Sequence, residues 1–355
     1  MSTTDNLNNA IEQNGTVQQF IKYPNGDTYK GYVDEKGFPH GYGVMKYARG
    51  GDTFAIMEIE VANKEYSGEW LHGNRTGTGK MKYYKNDEGF AKYTGEWSNN
   101  LPNGTGRFEN NCGKKIEYYE GTWKEGARHG IGTHSIVQNL YNWEQVYEGE
   151  WENDVRCGKG IYKYTGMQSY IYDGEWRENK RNGHGTLRFD YGDCIECEWS
   201  DNNKNGAGVY TFADDTRFKA QWIDDELQID SVKPDNNPNA LLLLINVEHS
   251  GFDYNRSATI ILHAKEGEYT MDNVGILCGT KKWRRDQALI TITEISEGKL
   301  KYIIPADFAE GDEPTYGSIA RGEKAEHGFS HDATATIYDE DYDYTVTGSI
   351  VIECR

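Results

Sequence analysis

Along residues 66–84 the chain reads "YSGEWLHGNRTGTGKMKYY", and its apolar and small residues fall on every second position. Tyr66, Gly68 and Trp70 share one parity while Ser67 and Glu69 take the other, so a strand here presents rings and glycine on one face and polar groups on the opposite face. The third residue after Trp70 is Gly73, and Gly77 and Gly79 then open a second alternating run, "GKMKYY". Strand, turn and return strand predict a β-hairpin of roughly 20 residues.

The same pattern returns at "YTGEWSNNLPNGTGRF" from Tyr93, "YEGTWKEGARHGIG" from Tyr119, "YEGEWENDVRCGKGIYKY" from Tyr147 and "YDGEWRENKRNGHGTLRF" from Tyr172. Weaker copies start at Tyr29, Ile195 and Phe218. Taken alone, the Gly-x-Gly-Lys of residues 77–80 suggests a phosphate-binding loop. A motif in about eight copies is architecture instead, and no strand-to-helix context surrounds this one. The third position after each Trp is Gly73, Asn100, Gly126, Asp154, Asn179, Asn202 or Asp225. These residue types tolerate positive φ best, which marks a turn. The paired glycines of the return strand are expected to leave room for a Tyr or Trp of the adjoining strand lying flat across them. One hairpin is marginal alone, so a row of them should be stabilised by nearest neighbours. Insertions at 48–65 and 136–146 should overhang one side of the sheet.

With its Tyr-x-Gly-x-Trp strand and Gly-x-Gly return strand, the repeat resembles the MORN repeat over about residues 23–225. Val33 replaces Trp in the copy from Tyr29, Cys197 replaces Gly in the copy from Ile195, and Ala220 replaces Gly in the copy from Phe218, as capping repeats would. The resemblance implies an all-β fold, an elongated, twisted, single-layer antiparallel sheet of about eight hairpins with a groove along it. It also implies scaffolding in cytoskeletal, ciliary or junctional assemblies, dimerisation, and in some members contact with phosphoinositides.

Residues 1–20 read as a flexible N-terminus, 21–229 as the repeat sheet and 230–239 as a polar linker with two prolines. Residues 240–355 carry about seven short candidate strands (240–247, 257–263, 273–278, 288–294, 300–304, 333–338 and 344–353), as a small β-sandwich would. The polar stretch 306–332 between them reads as a long loop.

Composition narrows the function. The 355 residues include 38 basic and 57 acidic side chains, a formal charge of −19, which argues against nucleic acid and disfavours anionic membranes. Lys80, Lys82, Lys85 and Lys92 could still make a local basic face. The polar start and the absence of a long apolar run point to a cytoplasmic protein with reduced thiols.

No catalytic constellation stands out, and neither a cofactor nor a metal is expected. Cys194 and Cys197 lie three apart, on opposite faces of a strand, and read as drift in a degenerate copy. His40, His129 and His184 recur beside the glycine pairs; His327, His331 and Asp332 read as part of a solvated loop. The acidic run 338–344 reads as a strand edge. Against a methyltransferase of the SET class within 231–355 stand "NVEHS" at 246–250, which lies too early in the domain, and the missing cofactor loop.

The expectation is a non-enzymatic scaffold binding a protein partner, with a homodimer as a possibility. Tyr66, Trp70, Tyr93, Trp97, Tyr119, Trp123, Tyr147, Trp151, Tyr172 and Trp176 are the candidate groove residues, and the C-terminal β-domain offers a second contact. A phosphoinositide-binding, membrane-recruitment module is one alternative, and an enzyme carried by residues 231–355, such as a SET-like methyltransferase, is another.

Overall fold

The computed structural model describes residues 17–48, 61–85, 89–111, 113–166, 169–236, 241–251, 254–264, 266–270, 288–296, 299–304, 314–334 and 343–354, and all its regular elements are strands. The first nine are β1 (Val17–Lys22), β2 (Thr28–Val33), β3 (Pro39–Tyr47), β4 (Val61–Leu71), β5 (Asn74–Lys85), β6 (Phe90–Ser98), β7 (Leu101–Asn111), β8 (Lys115–Lys124) and β9 (Ala127–Gln138). They continue as β10 (Trp143–Glu152), β11 (Val155–Thr165), β12 (Tyr170–Arg177), β13 (Lys180–Phe189), β14 (Cys194–Ser200), β15 (Asn203–Thr211), β16 (Arg217–Ile223) and β17 (Glu226–Pro234). These form one 17-stranded antiparallel sheet. The chain divides into two compact units, Met1–Gly208 with Trp222–Glu226, and Val209–Gln221 with Leu227–Arg355.

Within the first unit each strand from β1 to β14 pairs with the next, and the register draws glycine into a column across the sheet. Gly31, Gly43, Gly68, Gly79, Gly95, Gly106, Gly121, Gly132, Gly149, Gly160, Gly174 and Gly185 stand opposite one another in succession. The column ends at Cys197. Beside it runs a column of buried rings and aliphatics, in which Tyr66, Met81, Tyr93, Phe108 and Tyr119 follow in turn.

Two-residue turns close the hairpins. Asn99 and Asn100 have φ of 48° and 69°, and Glu178 and Asn179 have 51° and 66°, the paired positive values of a type I′ turn. The third residue after each repeat Trp, from Gly73 to Asp225, has positive φ, as its type suggests. The residue does more than turn the chain: Asn179 Oδ1 accepts the N–H of Arg156 at 2.9 Å, locking its hairpin to the preceding one. Asn100, Asp154, Asn202 and Asp225 do the same for Arg75, Arg128, Arg181 and Lys204. In urea unfolding, Asn179→Gly, which keeps the turn and loses the acceptor, should cost about 1 kcal/mol. Asn179→Ala, which loses both, should cost about 2 kcal/mol.

The 136–146 insertion lengthens β9 and β10, which stay paired out to Gln138 opposite Trp143 and leave Leu140 and Tyr141 exposed at the tip. Most of the 48–65 insertion lies outside the described residues.

The second unit adds β18 (Leu242–Gly251), β19 (Tyr254–His263), β20 (Gly267–Thr270), β21 (Ala288–Ser296), β22 (Lys299–Ile304), β23 (Thr315–Ala320), β24 (Lys324–Thr334) and β25 (Asp343–Cys354). They make two four-stranded sheets, β19-β18-β25-β24 and β20-β21-β22-β23, as a small sandwich has. The Tyr302 hydroxyl meets His327 Nε2 at 2.7 Å from one sheet to the other. Two expectations need correction. The stretch 306–332 is not one long loop: β23 and β24 occupy 315–320 and 324–332, separated by a turn in which Gly322 has φ +86°. Its strand alternation is carried by Ala, His and Gly, which mask the pattern. The stretch expected as a linker begins as strand, since β17 runs through Pro234. The expected strand 273–278 and residues 338–342 of the acidic run lie outside the described residues.

Candidate functional site: the two faces of the repeat sheet

The ring-bearing face is assembled from one unit repeated. Tyr93 lies across Gly95 and Gly106; a Cβ on Gly106 would stand 2.2 Å from its hydroxyl oxygen. That hydroxyl donates to the Glu96 carbonyl at 3.0 Å, and burial pushes the phenol's pKa up. Trp97 stands edge-on to Tyr93 (5.1 Å) and to Tyr66 of the preceding hairpin (5.2 Å). Its Nε1 donates to the Gly79 carbonyl at 3.1 Å. Trp70, Trp123, Trp151, Trp176 and Trp199 make the same bond to Gly43, Gly106, Gly132, Gly160 and Gly185. Each ring therefore answers a carbonyl one hairpin away, and the rings interlock as an edge-to-face ladder.

Arginine closes the ladder. Arg75 stands 4.9 Å over Trp97, Arg128 4.4 Å over Trp151, Arg156 4.6 Å over Trp176 and Arg181 4.2 Å over Trp199. Each also donates through Nη2 to the turn carbonyl of the following hairpin, Arg181 to Asn202 at 2.7 Å. The sequence reading missed these residues. Their signal was an Arg five places after Trp70, Trp123, Trp151 and Trp176.

The ten candidate groove residues, Tyr66, Trp70, Tyr93, Trp97, Tyr119, Trp123, Tyr147, Trp151, Tyr172 and Trp176, are between 0% and 6% exposed. They are brought together as expected, but as an interior. Glycine lies beneath them, neighbouring rings beside them and arginine above most of the tryptophans.

The first glycine of each pair has a different job from the one expected. Gly104 has φ +101°, and a Cβ there would meet the Glu96 carboxylate at 2.7 Å, not an aromatic ring. It sits opposite Trp123 beside a bulge at Gly95/Trp97. Glu96 Oε1 accepts the Thr105 N–H at 2.8 Å and Oγ1 at 2.5 Å. Glu69 holds Thr78 in the same way, and Glu150 the N–H of Lys159. These hydrogen bonds hold the Glu69 and Glu96 carboxyls below their ordinary pKa, hence ionised.

The opposite face thus carries a row of glutamates, broken at Thr122. Tyr42 stands opposite Glu69, Thr78 opposite Glu96, Ile131 opposite Glu150, Lys159 opposite Glu175 and His184 opposite Glu198. The five glutamates are exposed, and so are Tyr42 (58%) and Ile131 (63%). Lys82 stands opposite Lys92 on this side, but the Lys92 ammonium pairs with Glu109 at 2.6 Å and Lys46 with Glu65 at 3.3 Å. Of the four lysines considered as a basic face, Lys80, Lys82 and Lys92 share a face.

His134 occupies a place in the ring column otherwise filled by aromatics and aliphatics, between Tyr119 and Tyr147. Its Nε2 meets Glu117 Oε1 at 2.9 Å, and that bond holds the Glu117 carboxyl below its ordinary value of 4.5. A depressed carboxyl stabilises the fold above its unfolded pKa, and that contribution is lost as pH falls through the folded value. In acid titration of unfolding midpoints, Glu117→Gln should flatten the decline below about pH 4.5, the ordinary value of that carboxyl.

Cys197 is buried, its thiol pushed up to about 12 by burial, as an inert core thiol is. It fills the space over Gly208 that a Tyr ring fills elsewhere, since Ile195 stands in the Tyr position. His327, expected in a solvated loop, is on β24 and bonded to Tyr302; "NVEHS" lies within β18. No helix among the described residues is long and apolar enough to cross a membrane.

A family model described as "MORN repeat" matches residues 35–52, 66–88, 93–110, 119–136, 147–166, 172–194 and 198–217. The copy from Phe218 is not among them. No curated protein matches the chain.

Proposed function

Because the chain belongs to the MORN-repeat family, whose repeats mediate interactions with proteins or membranes, we propose that it is a non-enzymatic scaffold. Its exposed glutamate row holds a basic protein partner lengthwise, and the C-terminal β-domain supplies a second contact. The setting is a cytoskeletal or ciliary assembly. One observation carries the reading: the side chains that recur along the repeats are of two kinds. The Tyr, Trp and Arg recur because they hold the sheet together. Glu69, Glu96, Glu150, Glu175 and Glu198 recur on the solvent side, with Thr122 in the glutamate position between Glu96 and Glu150 and variable residues such as Tyr42, Ile131 and Lys159 between them. A recurring acidic row gives attraction, and the variable residues give selectivity. The formal charge of −19 favours the same sign of partner.

The test places a photo-crosslinking side chain at Ile131 of the full chain, in source-cell extract, beside a version that also carries Glu150→Lys and Glu175→Lys. A basic protein captured by the first and lost from the second, with capture weakening as salt rises, supports the proposal. Capture unaffected by charge reversal contradicts it. So does binding to phosphoinositide vesicles that is abolished by Lys82→Glu with no protein captured, which is the result the membrane reading predicts.

A further inference from the structure

We infer that Asp34, His40 and His72 form a site for a divalent transition-metal ion of the zinc class, clamping the turn of the β2–β3 hairpin to the turn of the β4–β5 hairpin. One ligand-capable atom from each of the three lies within 4.8 Å of the other two. The three come from separate segments. Asp34 follows β2, His40 is on β3, and His72 is at the tip between β4 and β5.

The carboxylate is already oriented. Asp34 Oδ1 accepts the N–H of Lys36 at 3.0 Å and of Phe38 at 2.9 Å, which leaves Oδ2 aimed at His72 Nδ1, 2.7 Å away. These two atoms share a proton, and an ion taking its place displaces that proton. The His40 and His72 ring centroids are 5.0 Å apart. His40 Nδ1 is buried with no hydrogen-bond partner, and a buried polar nitrogen left unanswered calls for an explanation. The Asp34 side chain is only 12% exposed, while His72, at 64%, stands toward solvent. Glu35 and Lys36 are the charged neighbours on the same turn, and both are exposed.

Two imidazoles and one carboxylate suit zinc and its neighbours, since calcium and magnesium select oxygen. A tetrahedral ion with bonds of about 2.1 Å needs its ligand atoms about 3.4 Å apart, so the Asp34–His72 pair, now at 2.7 Å, opens slightly as the His40 nitrogen, within 4.8 Å, draws in, with water as fourth ligand. His129 serves as the internal comparison. It stands beside Gly130 as His40 stands beside Gly41, and its Nδ1 is also buried without a partner. The next hairpin there offers Asn153 where His72 stands, so the cluster, not the lone histidine, defines the site. A clamp at this place supports the end of the array, where Val33 stands in for the Trp of the full repeats.

The experiment uses the full chain, stripped with chelator and dialysed against Zn2+, then repeated with Co2+ to read the ligand field. Wild type should take up about one more Zn2+ per chain than Asp34→Asn or His72→Ala, and those variants should bind at that site about tenfold or more weakly. Zn2+ should raise the unfolding midpoint of wild type and of His129→Ala, but not that of His72→Ala. His72→Ala loses the Asp34 bond and places Ala at φ 48°, so each protein's shift is read against its own metal-free midpoint, which separates binding from folding. Equal uptake and equal midpoint shifts in all four proteins, or no uptake by wild type, overturn the inference.

Discussion

Gly106→Ala should destabilise the repeat sheet by about 3 kcal/mol. The added methyl would stand 2.2 Å from the Tyr93 hydroxyl oxygen and 2.5 Å from Cζ of the same ring. The ring has nowhere to move, because Trp97 and Trp123 stand edge-on to it at 5.1 and 5.2 Å and it is fully buried. Relief therefore requires the strands β6 and β7 to separate, at the expense of the glycine column that sets their register. Gly104→Ala, two residues earlier, makes the useful contrast. Its methyl meets the end of the flexible Glu96 side chain, and the penalty is chiefly the backbone at φ +101°, about 1–2 kcal/mol. Urea unfolding followed by tryptophan fluorescence checks both. In a Tyr93→Ala background the Gly106→Ala penalty should largely vanish, since the clash is with that ring.

Trp123→Ala should cost about 4 kcal/mol. The indole is 1% exposed, stands between Tyr93 and Tyr119 at 5.2 and 5.0 Å, and donates to the Gly106 carbonyl at 3.1 Å. Removing it opens a cavity, strips two edge-to-face contacts and leaves a carbonyl without its donor. Trp123→Phe keeps most of the apolar filling and loses the donor, so about 2 kcal/mol is expected. The ladder passes stability from hairpin to hairpin. Hydrogen exchange in Trp123→Ala should therefore rise most between Tyr93 and His134 and hardly at all in β12–β14. A uniform rise over the whole sheet contradicts nearest-neighbour stabilisation.

The hairpins, their turns and the second glycine under each Tyr were legible because each repeats, and repetition separates structural need from chance. Asn179 was readable as a turn residue from its type alone. Its bond to the Arg156 N–H was not, since that depends on how one hairpin is set beside the next. The positive φ of Gly104 was hidden for the same reason: the bulge that requires it appears only when β6 and β7 are paired. The arginine ladder could have been found by aligning the copies five places past Trp. The ten aromatics share one face, as the periodicity indicates, but periodicity does not report whether that face is covered. Lys204 and the arginines over the rings are what cover it. In the C-terminal unit, β24 reads "KAEHGFSHDAT", with none of the large aliphatics that announce a strand, so its partner β25 supplies the reason it is extended.

The most direct measurement is side-chain oxidation of the folded full chain by a brief hydroxyl-radical pulse, read residue by residue by mass spectrometry. If the repeat aromatics are the frame of the sheet and its far face is the surface open to partners, Tyr42, Ile131 and Tyr141 are modified rapidly. Trp97, Trp123, Trp151 and Trp176 are then protected until the protein is unfolded. Tryptophans that oxidise in the folded protein as fast as Tyr42 would contradict the account and return the rings to the role of an open binding groove.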